Sequence, residues 1–282
     1  YGLDFNYALR YDFNERLTST KNYEDSAFSI STNTSQQITD NLSYNLGLSH
    51  VSRSPNMAEL FADGKHGPTN RYEKGDSSLE REVSKNIDLG LQFTSGDSII
   101  DLSLYRNDVK DFIYLRDLGT TSYDGEHQDA NWSQKDAVFQ GYEISYMKPF
   151  TLGSTDLYLT LSRDDISATF DNDTYVPRIP SAKNVLDLTI MGQKNETYVI
   201  SLIFSESQKD FSSIETETNS YVDLAMKYSN KIAISSNYDL NVNLFGNNLL
   251  DRTRRNHASF VKAHVPLPAS SFGFDVSLDY KF

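Results

Sequence analysis

Hydrophobic side chains recur at every second position along most of this chain. From Phe274 onward, Phe274, Val276, Leu278, Tyr280 and Phe282 share one face, and Asp275, Ser277, Asp279 and Lys281 share the other. The opening repeats the pattern, with Leu3, Phe5, Tyr7, Leu9, Tyr11 and Phe13 set against Asp4, Asn6, Ala8, Arg10 and Asp12. Strand side chains alternate between faces, whereas a helix repeats every ~3.6 residues. The pattern therefore predicts strands. Further segments with it lie near 26–38, 42–51, 84–94, 98–114, 137–148, 155–163, 184–191, 197–205, 220–228 and 238–244, giving about twelve strands.

The connections are of two kinds. Short ones carry turn residues, as in Thr39-Asp40-Asn41, Ser95-Gly96-Asp97, Leu152-Gly153-Ser154 and Gln193-Lys194-Asn195. Long polar ones fall at about 14–25, 52–83, 115–136, 164–183, 206–219 and 246–271. Strict alternation of short and long connections puts every long loop at the same end of the sheet. A soluble sandwich has no reason to do this; a transmembrane β-barrel has tight periplasmic turns and longer extracellular loops. Aromatic residues near strand ends (Tyr7, Tyr11, Phe13, Tyr146, Tyr228, Tyr238, Tyr280, Phe282) suit the girdles at a membrane interface. The predicted fold is all-β, an antiparallel transmembrane barrel.

Composition narrows the function. There are 39 acidic and 26 basic residues, a net charge of −13, which argues against a partner bound through its phosphates, so no nucleic acid is expected. The absence of Cys removes disulfides, thiolate-bound zinc and iron–sulfur clusters. Only 38 % of residues are hydrophobic, as expected when alternate strand residues alone face lipid.

Three stretches go beyond generic strand patterning. The first runs Ser52-Arg53-Ser54-Pro55-Asn56-Met57-Ala58-Glu59-Leu60-Phe61-Ala62-Asp63-Gly64-Lys65-His66, followed by Gly75-Asp76 and Leu79-Glu80-Arg81-Glu82. The second is Gly141-Tyr142-Glu143, and the third is Asn247-Asn248-Leu249-Leu250-Asp251-Arg252 running through Arg255-Asn256-His257. From about residue 42 to 282 the chain resembles the C-terminal half of a TonB-dependent outer-membrane receptor. Ser54 stands in the usually small position before Pro55, and Asp76 replaces the usual Asn. The resemblance implies a barrel of about 22 strands closed around an N-terminal plug. Plug, energy-coupling segment and the remaining strands are absent from this chain, so the reading is of a C-terminal barrel portion. A complete twelve-stranded passive channel is the rival.

Within that family the Glu-Leu-Phe-Ala-Asp-Gly-Lys-His stretch and the Arg-Asn-His-Ala-Ser-Phe…Pro-Leu-Pro ending are most similar to the zinc-uptake subgroup. Neutral imidazole with carboxylate suits a borderline ion such as Zn²⁺. The candidate ligands are His66, His50, Glu59 and Asp63, read as lying at one long loop, and His127 in another, beside Asp124, Glu126 and Asp129. The plain alternative for each is a solvated loop side chain, since no His-x₃-His spacing occurs on one element. The acidic run Asp164 to Asp173 lacks the Gly and terminal Glu of a calcium loop. Asp88, Asp101, Asp223, Asp239, Asp275 and Asp279 line up as a polar inner face.

The implied function is active uptake of a scarce nutrient across the bacterial outer membrane. Zinc is the preferred cargo, ahead of haem, a ferric siderophore or cobalamin. Expected partners are outer-membrane lipid, the TonB energy-transducing complex reached through the absent N-terminal part, and a metal ion or chelate. No catalytic cofactor is required and no enzyme is expected. A rim phospholipase would need a Ser, His and Asn set, for which Ser259, His257 and Asn256 are the nearest approximation.

Overall fold

The computed structural model describes residues 2–17 and 22–280. Its elements are β1 (Leu3–Leu17), β2 (Asn22–Thr39), β3 (Leu42–Arg53), the short helix α1 (Met57–Phe61), β4 (Asp63–His66), β5 (Arg71–Lys74), β6 (Glu82–Ser95), β7 (Ser98–Asp117), β8 (Gln128–Leu152), β9 (Thr155–Phe170), β10 (Lys183–Met191), β11 (Glu196–Ser205), β12 (Tyr221–Ala233), β13 (Tyr238–Asn247) and β14 (Ser271–Tyr280). No helix among the described residues is long and apolar enough to cross a membrane.

Twelve long strands form one antiparallel meander, β1-β2-β3-β6-β7-β8-β9-β10-β11-β12-β13-β14. Among the described residues its outermost strands, β1 and β14, are not paired with each other, so the sheet is barrel-like and open there, and these residues do not form the closed twelve-stranded barrel of the rival reading. Register carries the apolar row from strand to strand. Leu46 lies opposite Leu89, Leu89 opposite Leu104 and Leu104 opposite Tyr142. Further along, Leu161, Leu186, Leu202 and Leu224 are successive cross-strand partners. On the other face Gly47, Asp88, Tyr105 and Gly141 form the corresponding polar row. Lys281 and Phe282, which complete the alternation at the chain's end, lie outside the described residues.

Several strands run past the positions where alternation stops. β1 reaches Leu17 and β2 starts at Asn22, so much of the 14–25 stretch is strand, and residues 18–21 lie outside the described residues. β7 and β8 likewise invade 115–136, and β9 continues to Phe170. Beyond the apolar band a hairpin keeps its backbone ladder but has no apolar face to bury, so nothing enforces a two-residue period. The 52–83 stretch is also structured, holding α1 and the β4–β5 hairpin.

Conventional cores occur only at the long-loop end. Ala137, Ala168, Phe170, Val176 and Ile179 bury one another where the 171–182 loop folds back, and Leu60, Leu79 and Ile113 do so beneath α1. Gly141 fits the close packing below the first core. A Cβ there would sit 2.4 Å from the Tyr105 hydroxyl and 2.4 Å from the Asp165 carbonyl oxygen. Gly141→Val should therefore destabilise the folded full-length protein by about 1–3 kcal/mol through overpacking. A lower denaturant midpoint, followed by circular dichroism in detergent, would register it.

Candidate functional site

Arg53 at the end of β3 ties the first long loop to the barrel wall. Its Nε donates to Glu82 at 2.7 Å and its Nη1 donates to Glu59 at 2.9 Å. Asn56 caps α1 by accepting from the Ala58 and Glu59 N–H groups, while Glu59 accepts from the Asn56 N–H at 2.7 Å, a reciprocal capping box. Gly75 then passes hard against the helix: a Cβ would lie 2.5 Å from the Leu60 carbonyl carbon, and the Gly75 N–H donates to Ala62. The Arg-x-Pro…Glu-Leu…Gly-Asp motif is thus a loop anchor.

That geometry decides the fate of the candidate ligands. Glu59 is buried and both its oxygens accept from Arg53, so its carboxylate is committed to the anchor and does not present itself to a metal. His50 is not at a loop. It sits within β3, two residues beyond Leu48 on the same face, opposite Ile30 and Lys85, because the strand continues past the apolar row. Asp63 accepts from the Tyr72 hydroxyl at 3.1 Å across the β4–β5 hairpin. His66 pairs through Nδ1 with the buried Glu73 at 2.8 Å. These four do not converge.

His127 does enter a cluster. β5 pairs in parallel with the start of β8, Arg71 opposite Gln128, which lays the β4–β5 hairpin beside the 118–127 loop. Tyr72 meets Tyr123 edge to face at 5.6 Å, and the Lys74 ammonium lies 3.8 Å from the Tyr123 ring centre. Asp129 is fully buried and accepts from Thr120, Ser122 and the Tyr123 N–H, so it shapes the loop and offers nothing to a ligand. Held this way, Asp124, Glu126 and His127 bring one ligand atom each within 4.8 Å of one another, the one such group among the described residues. Backbone N–H groups of His127 and Glu126 donate to Asp124 and hold its carboxyl well below the usual range. The Asp124 Oδ2 lies 2.9 Å from His127 Nδ1, which holds carboxylate and imidazole side by side.

Glu126 and His127 also line a cavity of about 470 Å³. Its far wall comes from other hairpins. Asp117 binds Arg71 at 2.6 Å and Arg178 at 3.3 Å, and the Arg178 guanidinium stacks 3.7 Å from the centre of the Phe260 ring. Lys262 and His264 complete that side. None of the Arg71, Asp117, Arg178 and Phe260 group stood out in the sequence; Arg71 and Asp117 are 46 residues apart and Asp117 and Arg178 are 61 apart, with no local spacing to join them.

The last long loop is latched beneath this cavity. Arg254 reaches the polar-face Asp223 in a buried pair, and Asn248, fully buried, holds both the N–H and the carbonyl of Arg252. His257 is buried against the 206–219 loop, its Nδ1 2.8 Å from Thr218 and 3.1 Å from the Lys262 ammonium. With the ring so placed, the Ser259–His257–Asn256 set does not form a hydrolytic triad.

An antiparallel sheet with one apolar face, tight turns at one end and folded loops around a cavity at the other has the architecture of part of a β-barrel wall. The chain belongs to the family described as TonB dependent receptor-like, beta-barrel, whose model matches residues 2–249. That family is one of outer-membrane receptors and not of enzymes. Among curated relatives, heme/hemopexin utilization protein C of Haemophilus influenzae is 26 % identical over 132 residues, covering 42 % of this chain and 19 % of the relative. Among solved structures, the copper transporter OprC superposes with a TM-score of 0.77 at 16 % identity, covering 99 % of this chain and 45 % of that one. The FrpB iron transporter of Neisseria meningitidis gives 0.67 at 14 % identity, covering 99 % and 42 %. The chain spans about a fifth of the curated relative and less than half of each of these structures.

Two outcomes follow from the loop anchors. Glu59→Ala removes the Glu59 half of the capping box and one of the two Arg53 partners, and should cost about 1–2 kcal/mol. Limited proteolysis should then cut within 54–80 faster than in the unchanged protein. At His257, burial lowers the imidazole pKa, and Lys262 and Arg178 lower it further, against the pull of Glu215. The unfolded ring titrates near ~6.5, so the stability from neutral His257 is complete above that pH and is lost as pH falls below it toward the folded value. The protection factors of residues 251–270, with exchange corrected for its intrinsic pH dependence, should fall between pH 7.5 and 5.5.

Proposed function

We propose that this chain is the C-terminal barrel portion of an outer-membrane TonB-dependent receptor that captures a scarce metal nutrient in the cavity formed by its long loops. In this reading those loops face outside the cell, lipid surrounds the apolar face, and the open edges of β1 and β14 are where further strands of a larger barrel pair. Energy comes from the TonB complex through the N-terminal part of the receptor. No bond is made or broken in the cargo.

Zinc is the cargo we favour. The observation that carries this reading is the Asp124–Glu126–His127 cluster on the cavity wall, a mixed nitrogen and oxygen donor set of the kind Zn²⁺ takes. Its likeness in sequence to the zinc-uptake subgroup supports the same choice. An anionic metal chelate such as haem is the second reading. Arg71, Arg178 and Lys262 beside Phe260 favour it, with His264 in the same cavity, and the heme/hemopexin relative is in keeping with it.

Calorimetric titration of Zn²⁺ into the purified full-length receptor tests the first reading. His127→Ala should weaken binding at least about tenfold, the scale on which losing one metal contact is felt, while His50→Ala leaves it unchanged. Loss of Zn²⁺ affinity in neither variant would remove zinc from consideration here. A haem titration followed by absorbance would address the second reading: His264→Ala should then abolish the bound spectrum and His127→Ala should reduce it.

A further inference from the structure

The cation that the Asp124–Glu126–His127 cluster holds in this structure is one of the protein's own. The Lys65 ammonium lies 2.8 Å from Glu126 Oε2 and 3.6 Å from Asp124 Oδ2. Lys65 belongs to β4, on a different hairpin from the cluster, and is 61 residues away from Glu126 in sequence. The approach is set by backbone geometry: β4 pairs with β5, and β5 pairs in parallel with β8 where the 118–127 loop re-enters the sheet. A flexible, half-exposed lysine is thereby delivered to two of the three donors a metal would use.

We propose that Lys65 is a tethered competitor that sets which cations the cluster accepts. The proposal rests on the cluster being the zinc site argued above. A point positive charge interacts with carboxylates alone and can gain nothing from an imidazole lone pair. Lys65 therefore competes fully with hard ions such as Ca²⁺ and Mg²⁺, whose binding depends on the same carboxylate oxygens. It competes only in part with Zn²⁺, which also bonds His127. The lysine is intramolecular, so its local concentration is fixed by the hairpin and is independent of the medium. In an excess of hard divalent ions over zinc, such a competitor discriminates without adding any zinc ligand.

Asp124 and Glu126 present two negative charges beside one imidazole, and the Lys65 ammonium offsets one of the two until a metal displaces it. On displacement the ammonium swings into water, where its exposed stem meets no obstacle and the loss of an exposed ion pair costs little.

Calorimetry on the full-length receptor tests this with Zn²⁺ and Ca²⁺ as the probes. Lys65→Met keeps the stem and removes the charge; it should tighten Zn²⁺ binding about two- to fivefold, the scale of an exposed ion pair. It should also make Zn²⁺ binding sensitive to millimolar Ca²⁺, which the unchanged receptor resists. Lys65→Arg, which keeps the charge, should retain that resistance. If Zn²⁺ binding depends on His127 but Lys65→Met neither tightens it nor admits Ca²⁺, the competitor role is overturned and the zinc site stands. If Zn²⁺ binding is indifferent to His127→Ala in both the Lys65 and Lys65→Met backgrounds, the zinc site itself fails and the competitor role fails with it.

Discussion

The backbone's need for hydrogen-bond partners in hydrocarbon governs everything else in this molecule. A peptide group left unpaired in a bilayer costs several kcal/mol, and a sheet meets the requirement only along paired strands. The long meander from β1 to β14 is the result, and so is its composition: each strand needs an apolar residue only at alternate positions. The unpaired outer edges of β1 and β14 are the two places where this sheet leaves the requirement unmet within itself. They carry some of its most exposed large side chains, with Phe272 at 80 % and Tyr7 at 72 %. Edges of this length and hydrophobicity invite further strands.

Outside the apolar band the constraint changes character. Water can serve exposed backbone groups there, so the loops are held by side chains that replace a conventional core. Each anchor is a charge or amide buried with its partners supplied: Glu59 by Arg53 and the Asn56 N–H, Asp129 by Thr120, Ser122 and Tyr123, and Asn248 by Arg252 and Pro268. Removing one partner from such a group costs more than the bond itself contributed, because the other is left buried and unpaired. That asymmetry makes the anchors stiff enough to shape a cavity from loops that share little hydrophobic surface.

These two regimes explain what was legible in the sequence. The strands with one apolar face were readable because that face imposes a two-residue period; the register that sets Leu161, Leu186, Leu202 and Leu224 side by side follows from it. Where the apolar row stops the period fades, so the far ends of β1, β7 and β9 were unreadable; His50 was read with the loop that follows although the alternation already carried its strand to residue 51. The loop anchors were visible as family motifs without their mechanics. The site was legible only at His127 with its neighbours Asp124 and Glu126, which are contiguous. Lys65 and Arg71 reach it because β5 pairs in parallel with β8, and Asp117, Arg178 and Phe260 come from three other segments; no local pattern announces these contacts.

The charge balance of the chain acquires a location from this. A surplus of 13 negative charges spread evenly would draw cations of every kind to the receptor's surface. In the loop cavity the carboxylates are instead paired with fixed cations: Asp117 with two arginines, Glu126 with Lys65, and Asp223 with Arg254 below. If Lys65 competes as proposed, a cation that offers charge alone meets a resident charge there, whereas one that can also bond a nitrogen has a reason to displace it. Selectivity at such a site comes from what the carboxylates are already holding as much as from the ligands themselves.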